Sequence, residues 1–135
     1  MLVADLSRAI RLPHALDFIA LAGYGGTLGG RTSVRLVKDL DIPIGGRDVL
    51  IVEDVIDTGL TLNYLLRMLR LRNPRDLAIV TLLDRPYRRL VDDLPLRYVG
   101  FTVPDEFLVG YGFDLDQRYR GLPDLRIDNL PAEAA

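Results

Sequence analysis

Val49-Leu50-Ile51-Val52-Glu53-Asp54-Val55-Ile56-Asp57-Thr58-Gly59-Leu60-Thr61 decides the fold of this chain. Asp48 to Val52 is a continuous, β-branched-rich run, the pattern of a central strand covered on both faces. From Leu60 to Leu71 the period changes: Leu62, Leu65, Leu66 and Leu69 recur at i, i+3, i+4 and i+7, one apolar stripe of a helix. Arg67, Arg70 and Arg72 fall outside that stripe, and Asn73-Pro74 stops the helix. Leu77 to Leu83 is a second buried strand, so the segment reads as a βαβ unit. In open sheets of this class the ligand crevice lies at the carboxyl ends of the strands. Glu53 and Asp54 are therefore expected just past the strand end, where a ligand sits.

Two adjacent carboxylates repel unless cations or hydrogen-bond donors answer them. Sugar hydroxyls or a hydrated Mg²⁺ do so. The turn Asp57 to Thr61 opens the helix, where the first N–H groups lack intrahelical partners and the dipole adds partial positive charge. Gly59 permits close approach, and the Thr58 and Thr61 hydroxyls add donors. This is an anion cradle suited to phosphate. A phosphorylated ribose fits both ends. The plain alternative is an N-cap at Asp57 or Thr58, worth about 1 kcal/mol, beside two solvated carboxylates. For any single residue the alternatives are evenly matched; the whole array directly after an apolar strand favours the site. A Walker A loop is absent, and glycine-dense Gly25 to Gly30 is followed by no helix, so no dinucleotide fingerprint is present either.

Outward from this unit, Leu2 to Ile10 reads as a short amphipathic helix ended by Pro13. Asp17 to Ala22 and Ser33 to Lys38 read as strands. Gly23 to Gly30 holds five glycines in eight residues and reads as a mobile loop. Tyr98 to Val103 is a further strand before Pro104-Asp105. A single domain over 1–130 is expected, with a frayed tail over 131–135.

The 135 residues have a net charge of −2, with 49% hydrophobic and 27% charged. Those are globular values in a length suited to one domain. There is no cysteine, hence no disulfide, and one histidine, which excludes a multi-histidine zinc site. His14 reads as a surface residue. No apolar run reaches the roughly 18 residues of a membrane span, and no basic leader opens the chain, so the expected location is the cytoplasm. The near-zero charge gives no general pull toward nucleic acid. The arginines at 67, 70, 72, 75, 88 and 89 read as a solvated helix face and loop, with Arg88 or Arg89 within approach of an anion.

Val52 to Thr61 resembles the phosphoribosyl-diphosphate signature of type I phosphoribosyltransferases. Val37-Lys38-Asp39-Leu40, Gly46-Arg47-Asp48-Val49-Leu50, Thr81-Leu82-Leu83, Tyr98-Val99-Gly100-Phe101 and Pro104 to Gly112 extend the resemblance to the hypoxanthine-guanine branch, over roughly residues 1 to 125. The resemblance implies an α/β fold: a mostly parallel sheet flanked by helices. It implies transfer of phosphoribose from phosphoribosyl diphosphate to a 6-oxopurine base, with Mg²⁺. Matched position by position, Glu53 and Asp54 would meet the ribose hydroxyls and metal. Asp57 would face purine N7 as general acid/base. Thr58, Gly59 and Thr61, with the backbone at Leu60, would hold the 5′-phosphate. Phe107 would stack on the purine and the Leu108 backbone would read its edge. Asp114 would reach a second Mg²⁺ through water, and Arg120 would contact diphosphate.

Three departures stand out. Arg85 occupies the place of a lysine that bonds the purine 6-oxo group. Gly23 replaces a serine in the closing loop, where Tyr24 remains. The family's earlier strand and diphosphate loop have no counterpart, so the resemblance implies a sheet short of its first strand and an open apolar edge beside Val49 to Val52. It also implies a homo-oligomer, a dimer or tetramer. A non-catalytic or regulatory module binding nucleotide or phosphoribosyl diphosphate is the alternative, because that loop is absent. A phosphatase with an Asp-x-Asp signature is excluded by the Glu53-Asp54 to Asp57 spacing.

Overall fold

Leu2, Val3 and Leu6 share one side of helix α1 (Leu2–Ala9), which buries no residue fully. The computed structural model describes residues 1–24 and 33–127. Helix α1 stops one residue short of expectation, because Ile10 is extended at φ −71° and ψ 120°. His14 is an exposed staple, hydrogen-bonded to Ser7 Oγ and to the Leu12 carbonyl at 2.8 Å each.

Strand β1 (Ala20–Tyr24) pairs antiparallel with β2 (Ser33–Lys38). The expectation of a strand over 17–22 is corrected, since it starts later. The Asp17 carboxylate instead accepts the N–H groups of Phe18, Asp41 and Ile42 at 2.7–2.8 Å, which bends the chain there. Gly23 and Tyr24, read from composition as loop, continue β1 opposite Val34 and Ser33. Ladder pairing outweighs glycine's entropic cost at this point. The rest of the glycine-rich segment and the tail lie outside the described residues.

The principal sheet is three-stranded, in the order β3 (Asp48–Ile56), β4 (Asp76–Asp84), β5 (Leu96–Thr102), all parallel. Helix α2 (Leu60–Arg70) crosses between β3 and β4. Its stripe Leu62, Leu65, Leu66 and Leu69 is buried against Ile44, Ile51, Ile56 and Ile79. Each such side chain contributes about 1.5–3 kcal/mol of burial, so this layer is the core. β4, not β3, is the central strand. β3 pairs only with β4 among the described residues, and Leu50 is 39% exposed. Beside its open edge runs a groove of about 1210 Å³, lined by Leu6, Ile10 and Leu16 on one side and Val49, Leu50 and Leu65 on the other. Among the described residues no helix is long and apolar enough to cross a membrane.

After β4 a 3₁₀ turn (Pro86–Arg88) leads back toward β5. β6 (Leu108–Val109) and β7 (Arg126–Ile127) form a small antiparallel pair. Gly110 sits there at φ 93°, where a Cβ would come within 2.1 Å of the Asp124 carbonyl oxygen. Only glycine lets these strands approach so closely.

Candidate active site

β3 runs four residues further than its apolar stretch, so Glu53 and Asp54 lie inside the strand rather than beyond its end. This corrects the expected placement, and the reason is pairing: Glu53 sits opposite Thr81, and Val55 opposite Leu83. Neighbours on a strand point to opposite faces. Glu53 shares the parity of Ile51 and is largely enclosed, whereas Asp54 is exposed and accepts the Val55 N–H at 2.8 Å. Burial, with the nearby Asp54 charge second, raises the Glu53 carboxyl from its ordinary 4.5 to about 7. A small open cleft of about 290 Å³ is lined by the two carboxylates together with Met1, Leu2, Tyr111 and Gly112. Asp5 on α1 accepts the Tyr111 hydroxyl, tying the first helix to that cleft.

The turn after β3 is built by a left-handed residue. Gly59 caps α2 at φ 78°, which favours glycine over any residue with a Cβ. The turn's carbonyls face the segment after β4. The Asp57 carbonyl accepts Arg89 Nε at 3.3 Å and the Thr58 carbonyl accepts the Leu90 N–H at 2.9 Å. The Leu60 N–H reaches Thr58 Oγ1 at 3.4 Å, while those of Thr58, Gly59 and Thr61 engage no other group among the described residues. Free N–H groups at a helix start form an anion site.

Asp57 stands at the head of this turn. Its Oδ1 is buried and ion-paired with Arg88 Nε at 3.0 Å, but it accepts no hydrogen bond among the described residues. Arg85 follows β4; its N–H is held by the Ile56 carbonyl at 3.0 Å and its Nη2 donates to the Glu106 carbonyl at 2.8 Å. Arg85 Nε is buried and unpartnered. Arg88 also reaches Asp105 at 3.4 Å. These links draw Asp57, Arg85 and the Asp105–Phe107 segment into one cluster. Phe107 is 53% exposed, so it is not a core residue, and Leu108 lies in the ladder opposite Ile127.

Asp114 and Arg120 pair with each other at 2.8 Å, within a tight excursion where Tyr111, Asp116, Gln117 and Tyr119 all have positive φ. Asp114 does not join Glu53 and Asp54: among the described residues no three acidic, histidine or cysteine side chains gather around a common metal position. The hard oxygens of Glu53 and Asp54 still suit Mg²⁺, which takes one or two carboxylates and otherwise keeps water and substrate phosphate. Tyr24 lies on β1, and its side chain is outside the described residues. The sequence reading missed Asp84 and Asp105. Asp84 ends an apolar strand, and a charge in that place was the available signal. Arg89, expected free to approach an anion, is instead buried in an ion pair with Asp84.

A family model described as "Phosphoribosyl transferase domain" matches residues 1–116. A hypoxanthine phosphoribosyltransferase of Salmonella typhimurium is 53% identical over 123 residues, which cover 91% of this chain and 68% of that protein. A hypoxanthine-guanine phosphoribosyltransferase of Mycobacterium avium is 52% identical over 120 residues, covering 89% of this chain and 59% of its own. A crystal structure of the hypoxanthine-guanine enzyme from Bacillus anthracis, with HEPES in its active site, superposes at a TM-score of 0.86 with 45% identity, covering 93% of this chain and 74% of that one. The chain belongs to the phosphoribosyl transferase family, and within it to the hypoxanthine-guanine phosphoribosyltransferases.

Proposed function

We propose that this chain serves purine salvage, transferring the 5-phosphoribosyl group from phosphoribosyl diphosphate to hypoxanthine or guanine and giving IMP or GMP plus diphosphate. The turn 57–61 carries this reading: its Asp57 and Thr58 carbonyls are engaged by the segment after β4, three of its N–H groups engage no other group among the described residues, and the Asp57 carboxylate stands at its head. The N–H groups of Thr58, Gly59 and Thr61, with the two threonine hydroxyls, hold the 5′-phosphate. Leu60 supplies backbone to the same turn. Glu53 and Asp54 take the ribose hydroxyls. Phe107 stacks on the base, Arg85 donates its spare Nε to the 6-oxo group, and the Leu108 backbone reads the base edge.

Reaction makes the purine N9–C1′ bond as the C1′–diphosphate oxygen bond breaks. Positive charge develops on the ribose at that moment, and fixed carboxylates nearby stabilise it. Asp57 holds the purine proton at N7, which needs its oxygen within hydrogen-bond reach of the base. Arg120 contacts the leaving diphosphate when it parts from Asp114, and Tyr24, at the end of β1, is a further contact to the reactants. Mg²⁺, when bound, would neutralise diphosphate charge, with Glu53 and Asp54 as oxygen donors to one ion and Asp114, which lies apart from them, reaching a second ion through water. A homo-oligomer in the cytoplasm completes the reading. The related proteins named above are phosphoribosyltransferases, which favours an enzyme over a non-catalytic binding module.

The test is nucleotide formation by the 135-residue chain from hypoxanthine or guanine, phosphoribosyl diphosphate and Mg²⁺, beside Asp57→Asn. Turnover should fall by about 10²–10⁴ in the variant, with ribose 5-phosphate binding retained. Unchanged turnover would remove Asp57 from its role; a folded wild-type chain that forms no nucleotide overturns the reading.

A further inference from the structure

Three contacts converge on the turn 57–59 from the segment after β4. Arg89 Nε donates to the Asp57 carbonyl at 3.3 Å. The Leu90 N–H donates to the Thr58 carbonyl at 2.9 Å. The Arg89 Cδ and a Leu94 methyl each lie 3.2 Å from where a Cβ on Gly59 would stand. Arg89 is itself fixed from below. Its Nη2 pairs with Asp84 at the end of the central strand, and the two side chains are only 15% and 12% exposed. A guanidinium suits this geometry because it presents several donors in a rigid planar fork: one edge meets the carboxylate while Nε meets the carbonyl.

We propose that Arg89, anchored by Asp84, is a positioning residue for phosphate binding. It pins the carbonyl side of the 57–59 turn, so that the N–H side faces outward as a preformed anion cradle. Without it, the Asp57 carbonyl loses its partner, its peptide plane is freer to rotate, and binding must order it first. The same segment begins with Arg85, which donates to the Glu106 carbonyl next to Phe107, and Arg88, which pairs with Asp57 and Asp105. The ion pair thereby couples the base-binding loop to the phosphate turn. This rests on the assignment of the 5′-phosphate to that turn.

The experiment titrates the full chain with ribose 5-phosphate by calorimetry and follows its amide resonances by NMR. Arg89→Lys keeps the charge opposite Asp84 but lacks the second fork edge toward Asp57. Its affinity should fall about tenfold, the worth of one charge-assisted hydrogen bond. The Thr58 and Gly59 amides should already be displaced in the free variant, while those of β5 stay in place. Arg97→Lys, whose exposed partner Asp76 lies at the opposite end of β4, should change neither. If Arg89→Lys unfolds, the double replacement Asp84→Met with Arg89→Met removes both buried charges together, a change that folds tolerate, and should show the same loss. Wild-type affinity in a folded variant overturns the positioning role and leaves the phosphate site standing. Failure of the wild-type chain to bind ribose 5-phosphate overturns both.

Discussion

Arg88 Nε stands 3.0 Å from Asp57 Oδ1, and the same guanidinium reaches Asp105. The acid/base candidate is thus met by a cation before any base arrives. Both side chains are partly exposed although the Asp57 oxygen itself is buried, so the pair stands close to surface bridges, worth about 0–1 kcal/mol. Arg88→Gln should shift the thermal midpoint little and lower nucleotide formation far less than Asp57→Asn does. A loss as deep as that of Asp57→Asn, seen in parallel steady-state assays, would instead make Arg88 part of the chemistry.

Glu53 gives the stability a pH signature. Its folded value of about 7 lies above its ordinary 4.5 because of burial. The folded state therefore binds the extra proton between those values. The stability it contributes is present below the ordinary value and is lost as pH rises through the folded one. Denaturant melts of the wild-type chain should lose on the order of 2 kcal/mol across that window, and Glu53→Gln should flatten the slope. Parallel slopes in the two proteins would argue against burial of the carboxyl.

Gly59→Ala tests the left-handed cap. A Cβ at φ 78° is strained whatever the space, and here it meets Arg89 and Leu94 at 3.2 Å. The substitution should cost about 1–3 kcal/mol and weaken ribose 5-phosphate binding. Calorimetry with the alanine variant reads both effects.

The edge of β3 invites association. Its backbone pairs with β4 on one side only among the described residues, next to an apolar groove. Unpaired, apolar edges template contact with other strands. Sedimentation should show concentration-dependent self-association, which Leu50→Lys reduces by placing charge beside the edge. Equal sedimentation of the two proteins at every concentration would count against this edge as the contact.

Much of the fold was legible because periodicity reports burial directly. The leucines of α2 are spaced at helical period and are the residues the structure buries. The apolar runs of β3 and β4 flank them in the order a crossover unit needs. The strand ends were less legible. Glu53 and Asp54 are poor strand formers by composition, yet pairing with Thr81 and its neighbours carries β3 through them. Backbone hydrogen bonds to an adjacent strand are invisible in a single chain segment. Tyr24 reads as loop for the same reason and lies in a ladder.

Within the site, local order along the chain determined that a carboxylate heads a glycine turn into a helix, since those residues are contiguous and their chemistry follows from their spacing. Tertiary structure decided which cations meet them. Arg88 and Arg89 are adjacent, but one pairs with Asp57 at the partly exposed side of the turn and the other with Asp84 where both side chains are largely buried. That choice depends on how the segment after β4 folds back over residues 57–59, a long-range packing outcome that no local pattern encodes.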